Sequence, residues 1–282
     1  MTVLIAGCGD LGTEVGLRLA ARGERVVGWR RSADLLPAAI EGVAVDLTQH
    51  PLPPIPPDTD VVIIATAAGD RTEAAYRSAY VDATRTILAA LERDGVTPRR
   101  ILFVSSTAVY GDFDGALVTE ESPAESTAPT ARLVREAEQV LLEGSDQGTV
   151  LRLSGIYGPG RTRLIDQVQS GRAVLPVEPQ WTNRIHRDDA AAAIVHLVTG
   201  VPSPAPIYLG SDELPVDLGE VLRFLAAELD LPEPPQGDSA SSRGGARRVD
   251  SSLLRATGFT FTYPTYREGY RAVLAGQGVR HP

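Results

Sequence analysis

Residues 2–32 constrain this chain more tightly than any other stretch. An apolar run, Thr2-Val-Leu-Ile-Ala6, leads into Gly7-Cys-Gly-Asp-Leu-Gly12. An amphipathic run to Arg22 follows, then a second apolar run that ends in Arg30-Arg-Ser32. A short apolar run suits a strand buried on both faces of a parallel sheet. The three glycines then turn the chain into a helix. Gly7 permits the tight turn, Gly9 leaves room for a pyrophosphate at the backbone, and Gly12 lets helix and strand approach closely. The first N–H groups of such a helix lack intrahelical partners and favour phosphate. Strand, glycine turn, helix and second strand, in that order, form the context that makes a weak glycine pattern specific for a dinucleotide. Gly7, Gly9, Asp10, Leu11 and Gly12 are therefore the candidate phosphate-binding residues.

The end of the second strand selects the nucleotide. An NAD site usually carries Asp or Glu about 20 residues on, bonded to the ribose 2′-hydroxyl. Here Arg30, Arg31 and Ser32 stand at that place. Guanidinium groups bond a phosphate bidentately, so the residues point to the 2′-phosphate of NADP. The alternative is a solvated basic turn.

Downstream the pattern alternates. Leu11, Val15 and Leu19 give the first helix one apolar stripe. Residues 43–45, 61–64, 101–104 and 150–153 read as further strands, and 207–209 as a short one. Helices are expected over 73–93, stopped by Gly95, over 131–143 and 164–171, and again from 183–186 onward. Ala79, Ala83, Ile87 and Leu91 share one face of the long helix. Asp188 and Asp189 suit a helix start. Asp217 with Glu220 three residues on has the form of a capping box. Residues 50–60, rich in proline, read as a stiff extended loop, with a partner-binding motif as the alternative. Residues 232–245 read as a mobile loop, and Glu120 and Glu121 as a solvated one. Strands alternating with helices predict an α/β fold: a doubly wound, mainly parallel sheet of the Rossmann type. Right-handed crossovers then align Gly7, Thr66 and Ser105 along one sheet edge, where ligands bind.

Composition narrows the function. The formal net charge of −9 disfavours binding to nucleic acid or to an anionic membrane. Cys8 is the one cysteine, so no internal disulfide can form, and a reducing, cytoplasmic setting is expected. Within the glycine loop its small thiol is expected to pack rather than react. The chain enters its first strand at once and has no apolar run of about 18 residues, so neither a leader nor a membrane span is expected. His50, His186, His196 and His281 lack metal-ligand spacing, and no metal is expected.

Together these residues resemble the extended short-chain dehydrogenase/reductase family of nucleotide-sugar epimerases and dehydratases. The resemblance spans nearly the whole chain. It rests on Gly7-Cys-Gly-Asp-Leu-Gly12, Asp46-Leu47, Phe103-Val-Ser-Ser-Thr-Ala-Val-Tyr-Gly111, Arg152-Leu-Ser-Gly-Ile-Tyr-Gly-Pro159 and Arg184-Ile-His-Arg-Asp-Asp189. The tight spacing of the first glycines looks like an atypical branch. The resemblance implies that Asp46 and Leu47 touch an adenine. Ala65, Thr66 and Ala67, with Ser105, line the ribose side, and Pro159 lies near a nicotinamide. It also implies that Ser106, four residues before Tyr110, bonds the reacting carbonyl or hydroxyl. It places a nucleotide domain over residues 1–159 and 181–199 and a smaller substrate lobe over 160–180 and 200–282. A homodimer through helices 73–93 and 131–143 is a further implication.

The family's Tyr-x-x-x-Lys pair is absent. Aligned on Glu138, Val134 stands at the lysine and Thr130 at the tyrosine. Threonine cannot serve as a general acid near neutral pH, and valine supplies no charge. The candidate replacements are Tyr110, read either as an acid or as a packed turn residue, and Arg132, read as an anion holder or a solvated helix residue. His186 could titrate near neutral pH or could frame the lobes, and Arg184 could face substrate. The expectation is an NADP-dependent oxidoreductase or epimerase acting on a small polar metabolite. The alternatives are a non-catalytic NADP-binding sensor, or an isomerase or cyclase that keeps the nucleotide for structure.

Overall fold

The computed structural model describes residues 1–237 and 246–282. The chain opens with β1 (Thr2–Ala6), α1 (Asp10–Ala20), β2 (Arg25–Arg30), β3 (Glu41–Ala44) and β4 (Thr59–Ile64). Next come α2 (Glu73–Tyr76), α3 (Ala83–Asp94), β5 (Arg100–Ser106), β6 (Ala116–Val118), α4 (Pro129–Gly144) and β7 (Gly148–Leu153). The middle holds β8 (Gly155–Tyr157), α5 (Arg163–Gln169), β9 (Leu175–Pro176), β10 (Trp181–Thr182), β11 (Arg184–His186), α6 (Arg187–Thr199) and β12 (Ile207–Gly210). Last are β13 (Val216–Asp217), α7 (Leu218–Glu228), β14 (Gln236–Gly237), β15 (Arg247–Val249), α8 (Ser252–Ala256) and α9 (Tyr266–Leu274).

Seven strands form one parallel sheet in the order β12-β7-β5-β4-β1-β2-β3. Because side chains alternate across a strand, each strand feeds two cores. Leu4, Val62, Ile64 and Phe103 pack with Ile87 of α3 and Leu133, Ala137 and Leu141 of α4. Val3, Ile5, Ile63 and Leu102 pack on the other face with Val15 and Leu19 of α1 and Ile194 and Leu197 of α6. This is the helix-covered, doubly wound sheet that the alternation predicts. A third cluster joins α5, α7 and α9 through Ile165, Leu222, Leu225 and Tyr270.

Several local readings are corrected. The helix expected over 73–93 contains a π-helical segment, Arg77–Asp82, between α2 and α3. Gly95 ends it in the left-handed conformation, φ +64°. The strand Ile207–Gly210, placed by resemblance in the smaller lobe, pairs with β7 in the main sheet instead, because its apolar side chains complete that sheet's edge. Glu120 is not simply solvated: it is half-buried, and its carboxylate accepts from the Leu209 N–H on that edge strand at 2.9 Å. Asp217 caps α7 through Gly219 N, and its second oxygen accepts from Gln180 N, tying α7 to the chain before β10. The capping box found in the structure is at α9, between Thr265 and Glu268. Of the loop expected over 232–245, residues 232–237 carry β14, which pairs with β9, and residues 238–245 lie outside the described residues. Among the described residues no helix is long and apolar enough to cross a membrane.

One charge pair fastens α4 to the sheet. Glu138 and Arg152 are 0% and 1% exposed, and Arg152 reaches both carboxylate oxygens, at 2.9 and 2.7 Å. Ser105 donates to the same carboxylate at 2.5 Å, and Arg135 reaches it at 3.3 Å. A buried charge left without its partner is strongly destabilising. Glu138→Ala, which strands Arg152 in the core, is therefore expected to lower unfolding free energy by about 3–5 kcal/mol in chemical denaturation.

Candidate functional site

The sheet's strand order reverses between β1 and β4, the kind of point beyond whose C-terminal strand ends open α/β sheets bind ligands in a crevice. The turn after β1 lies there. Gly7 has φ +83°, and a Cβ there would come within 2.8 Å of Ala65 O and Thr66 N. Only glycine fits that approach of the two strand ends. A Cβ on Gly9, in contrast, would meet nothing within 4 Å. The backbone is thus open at Gly9, which leads directly into α1, and no side chain caps the first N–H groups of that helix. A Cβ on Gly12 would sit 3.1 Å from Ile5 and 3.2 Å from Gly7 O, which explains the close helix–strand contact. The turn and its neighbours fit a dinucleotide.

The other candidate residues fall into two groups. Thr66 keeps its hydroxyl without a partner at the end of β4, between half-exposed Ala65 and exposed Ala67. Asp46 folds one oxygen onto Thr48 N and Oγ1, which holds its carboxyl below the usual range, and Leu47 packs on the core. Ser106 is half-exposed and accepts from Ala108 N at 3.1 Å, which leaves its own O–H to donate. Arg31, Ser32 and Arg132 are exposed.

The second group is withdrawn from the crevice. Ser105 is buried and donates to Glu138, so its hydroxyl is not available to a nucleotide. Tyr110 is 1% exposed; its hydroxyl donates to Thr119 O at 2.8 Å and accepts from Arg152 at 2.7 Å, and burial raises its pKa. It is a packed turn residue, not a replacement acid. Cys8 is fully buried, and burial pushes its thiol up to about 11, so it packs as expected. Asp10 directs its side chain away from the turn. It pairs with Arg187 at 2.8 Å and Arg161 at 2.9 Å, so what it offers a phosphate is its backbone.

The motif Arg184-Ile-His-Arg-Asp-Asp189 joins the two halves of the molecule. Arg184 is buried and lies over the rings of Tyr266 and Tyr270, so it does not face the open crevice. His186 caps α6 by accepting from Asp188 N, and burial lowers its pKa to about 4, so the ring is neutral near pH 7. Asp189 caps no part of its own helix; it accepts from Thr262 N and Tyr263 N. Nearby Asp212 is buried with one oxygen unpartnered, and desolvation raises its pKa to about 7 against the pull of Arg184.

Three residues at the crevice were missed from sequence. Arg187, 1% exposed, bonds Asp10, Asp188 and Val279 O. Arg161 follows the Gly158-Pro-Gly160 turn and reaches Asp10, while His281 contacts both Asp10 and Glu14. Arg161 and Arg187 stood inside or beside motifs already quoted; nothing in the local sequence ties His281 to α1.

The sequence model of the family described as NAD dependent epimerase/dehydratase matches residues 3–210. Protein YeeZ of Escherichia coli K12 is 29% identical over 277 residues, covering 93% of this chain and 96% of its own. A solved structure from Methylobacillus flagellatus, named for the NAD-dependent epimerase/dehydratases, is 35% identical, covers 98% of each chain and superposes with a TM-score of 0.80. The human epimerase family protein SDR39U1, solved with NADPH, shares the fold at a TM-score of 0.81 and 19% identity over 98% of this chain and 99% of its own.

The open space at Gly9 generates a direct test. Gly9→Val has room for its side chain in the folded protein but places it where the pyrophosphate would meet the backbone. Circular dichroism is expected to be unchanged, while nucleotide binding by calorimetry is lost.

Proposed function

The chain belongs to the NAD dependent epimerase/dehydratase family, and from that premise we propose an NADP-dependent oxidoreductase or epimerase acting on a small polar metabolite. The observation that carries this reading is the glycine turn at the switch point, with Arg30 where an acid would read a 2′-hydroxyl. The same fold holds NADPH in the human protein. When bound, a nicotinamide dinucleotide supplies hydride transfer. The chain's own part is to seat phosphates on the α1 turn and the 2′-phosphate on Arg30 and Arg31. Ser106 presents its O–H to a reacting oxygen beside the crevice. The smaller lobe, built on α5, α7 and α9, selects the substrate, and Arg132 holds an anionic portion of it. The reading extends to a cytoplasmic homodimer that pairs through α3 and α4, where a groove of about 670 Å³ is lined by Leu88, Ala89 and Val140.

A second reading, a non-catalytic NADP-binding sensor, is favoured by one observation. Val134, at the place of the family's lysine, is buried in the core beside Leu133 and Ala137, and Thr130 stands where the tyrosine would be. No phenol with a lowered pKa can form there.

Calorimetry with both nucleotides tests the cofactor assignment. A charge-assisted bond to phosphate is worth about 1.5–3 kcal/mol, so NADP(H) is expected to bind at least about tenfold more tightly than NAD(H). Arg30→Asp should narrow or reverse that preference, and equal affinities in the wild type would refute it. NADPH oxidation against a panel of carbonyl compounds separates enzyme from sensor. Where turnover is found, Ser106→Ala is expected to reduce it by about 10²–10³-fold with NADP binding retained, and Thr130→Ala to cost far less. Absence of turnover on every compound would favour the sensor.

A further inference from the structure

Residues 278–282 run along the crevice rim from the Pro159 turn to Arg30. At one end Gly278, φ +80°, lies so close to Pro159 that a Cβ would meet its ring at 2.7 Å. Arg187 then donates to Val279 O at 2.8 Å, and Arg280 donates to Gly160 O at 3.0 Å. The His281 N–H donates to Asp10 at 3.1 Å, and its ring bonds Glu14 at 2.8 Å. At the far end Arg30 Nη1 donates to Pro282 O at 2.8 Å. Five extended residues span at most about 16–18 Å, and these five bridge the two ends of the proposed dinucleotide path: the proline turn and the 2′-phosphate reader.

The segment does not fill the path evenly. The backbone at Gly9 remains open on its Cβ side, while Arg30 is engaged by an oxygen of Pro282. We infer that residues 278–282 form a displaceable strap that competes with the 2′-phosphate for Arg30, so that a 2′-phosphorylated dinucleotide releases it and a dinucleotide with a free 2′-hydroxyl leaves it in place. This rests on the assignment of Arg30 as the 2′-phosphate reader. The chemistry favours exchange in one direction: a phosphate dianion carries more charge than the single Pro282 oxygen that Arg30 meets, and it can bond the guanidinium bidentately. The strap's remaining anchors, Asp10, Glu14 and Arg187, bond one another or further partners, as in the Arg187–Asp10 and Arg18–Glu14 pairs, so they keep partners when it lifts.

Affinities for NADPH and NADH are measured for the full chain, for a variant lacking residues 278–282, and for Arg30→Ala in both backgrounds. Removing the strap is expected to tighten NADPH by about fivefold, the worth of one hydrogen bond released from competition, and NADH by less than about twofold. Where the truncated chain loses its native circular dichroism, His281→Ala, which removes the ring's bond to Glu14, serves in its place with the same direction of effect. Hydrogen exchange read on the full chain supplies the second measurement: NADPH should speed exchange at residues 278–282, and NADH should not. Weaker NADPH binding after truncation, or protection of the segment by NADPH, would show a clamp over the nucleotide and overturn the inference. If Arg30→Ala abolishes NADPH preference while truncation changes nothing, the strap fails and the cofactor assignment stands. If Arg30→Ala leaves the preference intact, the assignment of Arg30 fails, and the strap with it.

Discussion

A carboxylate that cannot reach water organises the centre of this protein. Glu138 lies on α4 against the sheet, fully buried, and its charge is tolerable only because Arg152 meets both oxygens while Ser105 and Arg135 complete the shell. Arg152 comes from β7, Ser105 from β5, and Arg152 in turn bonds Tyr110 in the turn beyond β5. One charge therefore fixes the register of two central strands, one helix and the loop at the crevice edge. A charge-assisted, bidentate pair supplies both strength and direction. The same pair decides which polar residues are left for chemistry. Ser105 and Tyr110 are consumed by it, and strand alternation turns the next residue, Ser106, the other way.

The crevice edge shows a related division between backbone and side chain. Steric space, rather than charge, governs the turn at Gly7, Gly9 and Gly12, where two strand ends and a helix converge. An acid at the start of α1 would oppose a phosphate, yet Asp10 is held sideways by Arg161 and Arg187. Its carboxylate stitches α1 to the segments after β8 and β11, while the turn's own N–H groups at Gly7, Cys8 and Gly9 close the turn on Trp29 O and Gly7 O. The glycine turn after β1 and the segments after β8 and β11 are in this way parts of one ionic network.

The second region of buried charge lies where β8, β11 and α9 meet. Tyr157 packs on Tyr270 with ring centroids 4.4 Å apart, and Arg184 lies over Tyr266 and Tyr270. Desolvation dominates here, so His186 is neutral and Asp212 holds its proton more firmly than an ordinary carboxyl.

Local sequence determined the parts of this protein whose physics is local. Short continuous apolar runs located every strand of the main sheet, and the glycine spacing located the turn, because backbone geometry and short-range burial leave their mark within a few residues. At Arg30-Arg-Ser32 the sequence showed that the usual acid is missing and left a solvated basic turn open. What each side chain faces was decided only by the tertiary structure. Tyr110 sat in a motif that allowed either an acid or a packed residue, and Arg152, 42 positions away, settled it. Asp10 met Arg187 across 177 positions and His281 across 271, and no periodicity encodes a partner at that separation. Ile207–Gly210 read as a strand but joined the main sheet because β7 offered an unpaired edge. Buried charges find partners wherever the fold brings them, so the sequence names the charges and the packing alone assigns the pairs.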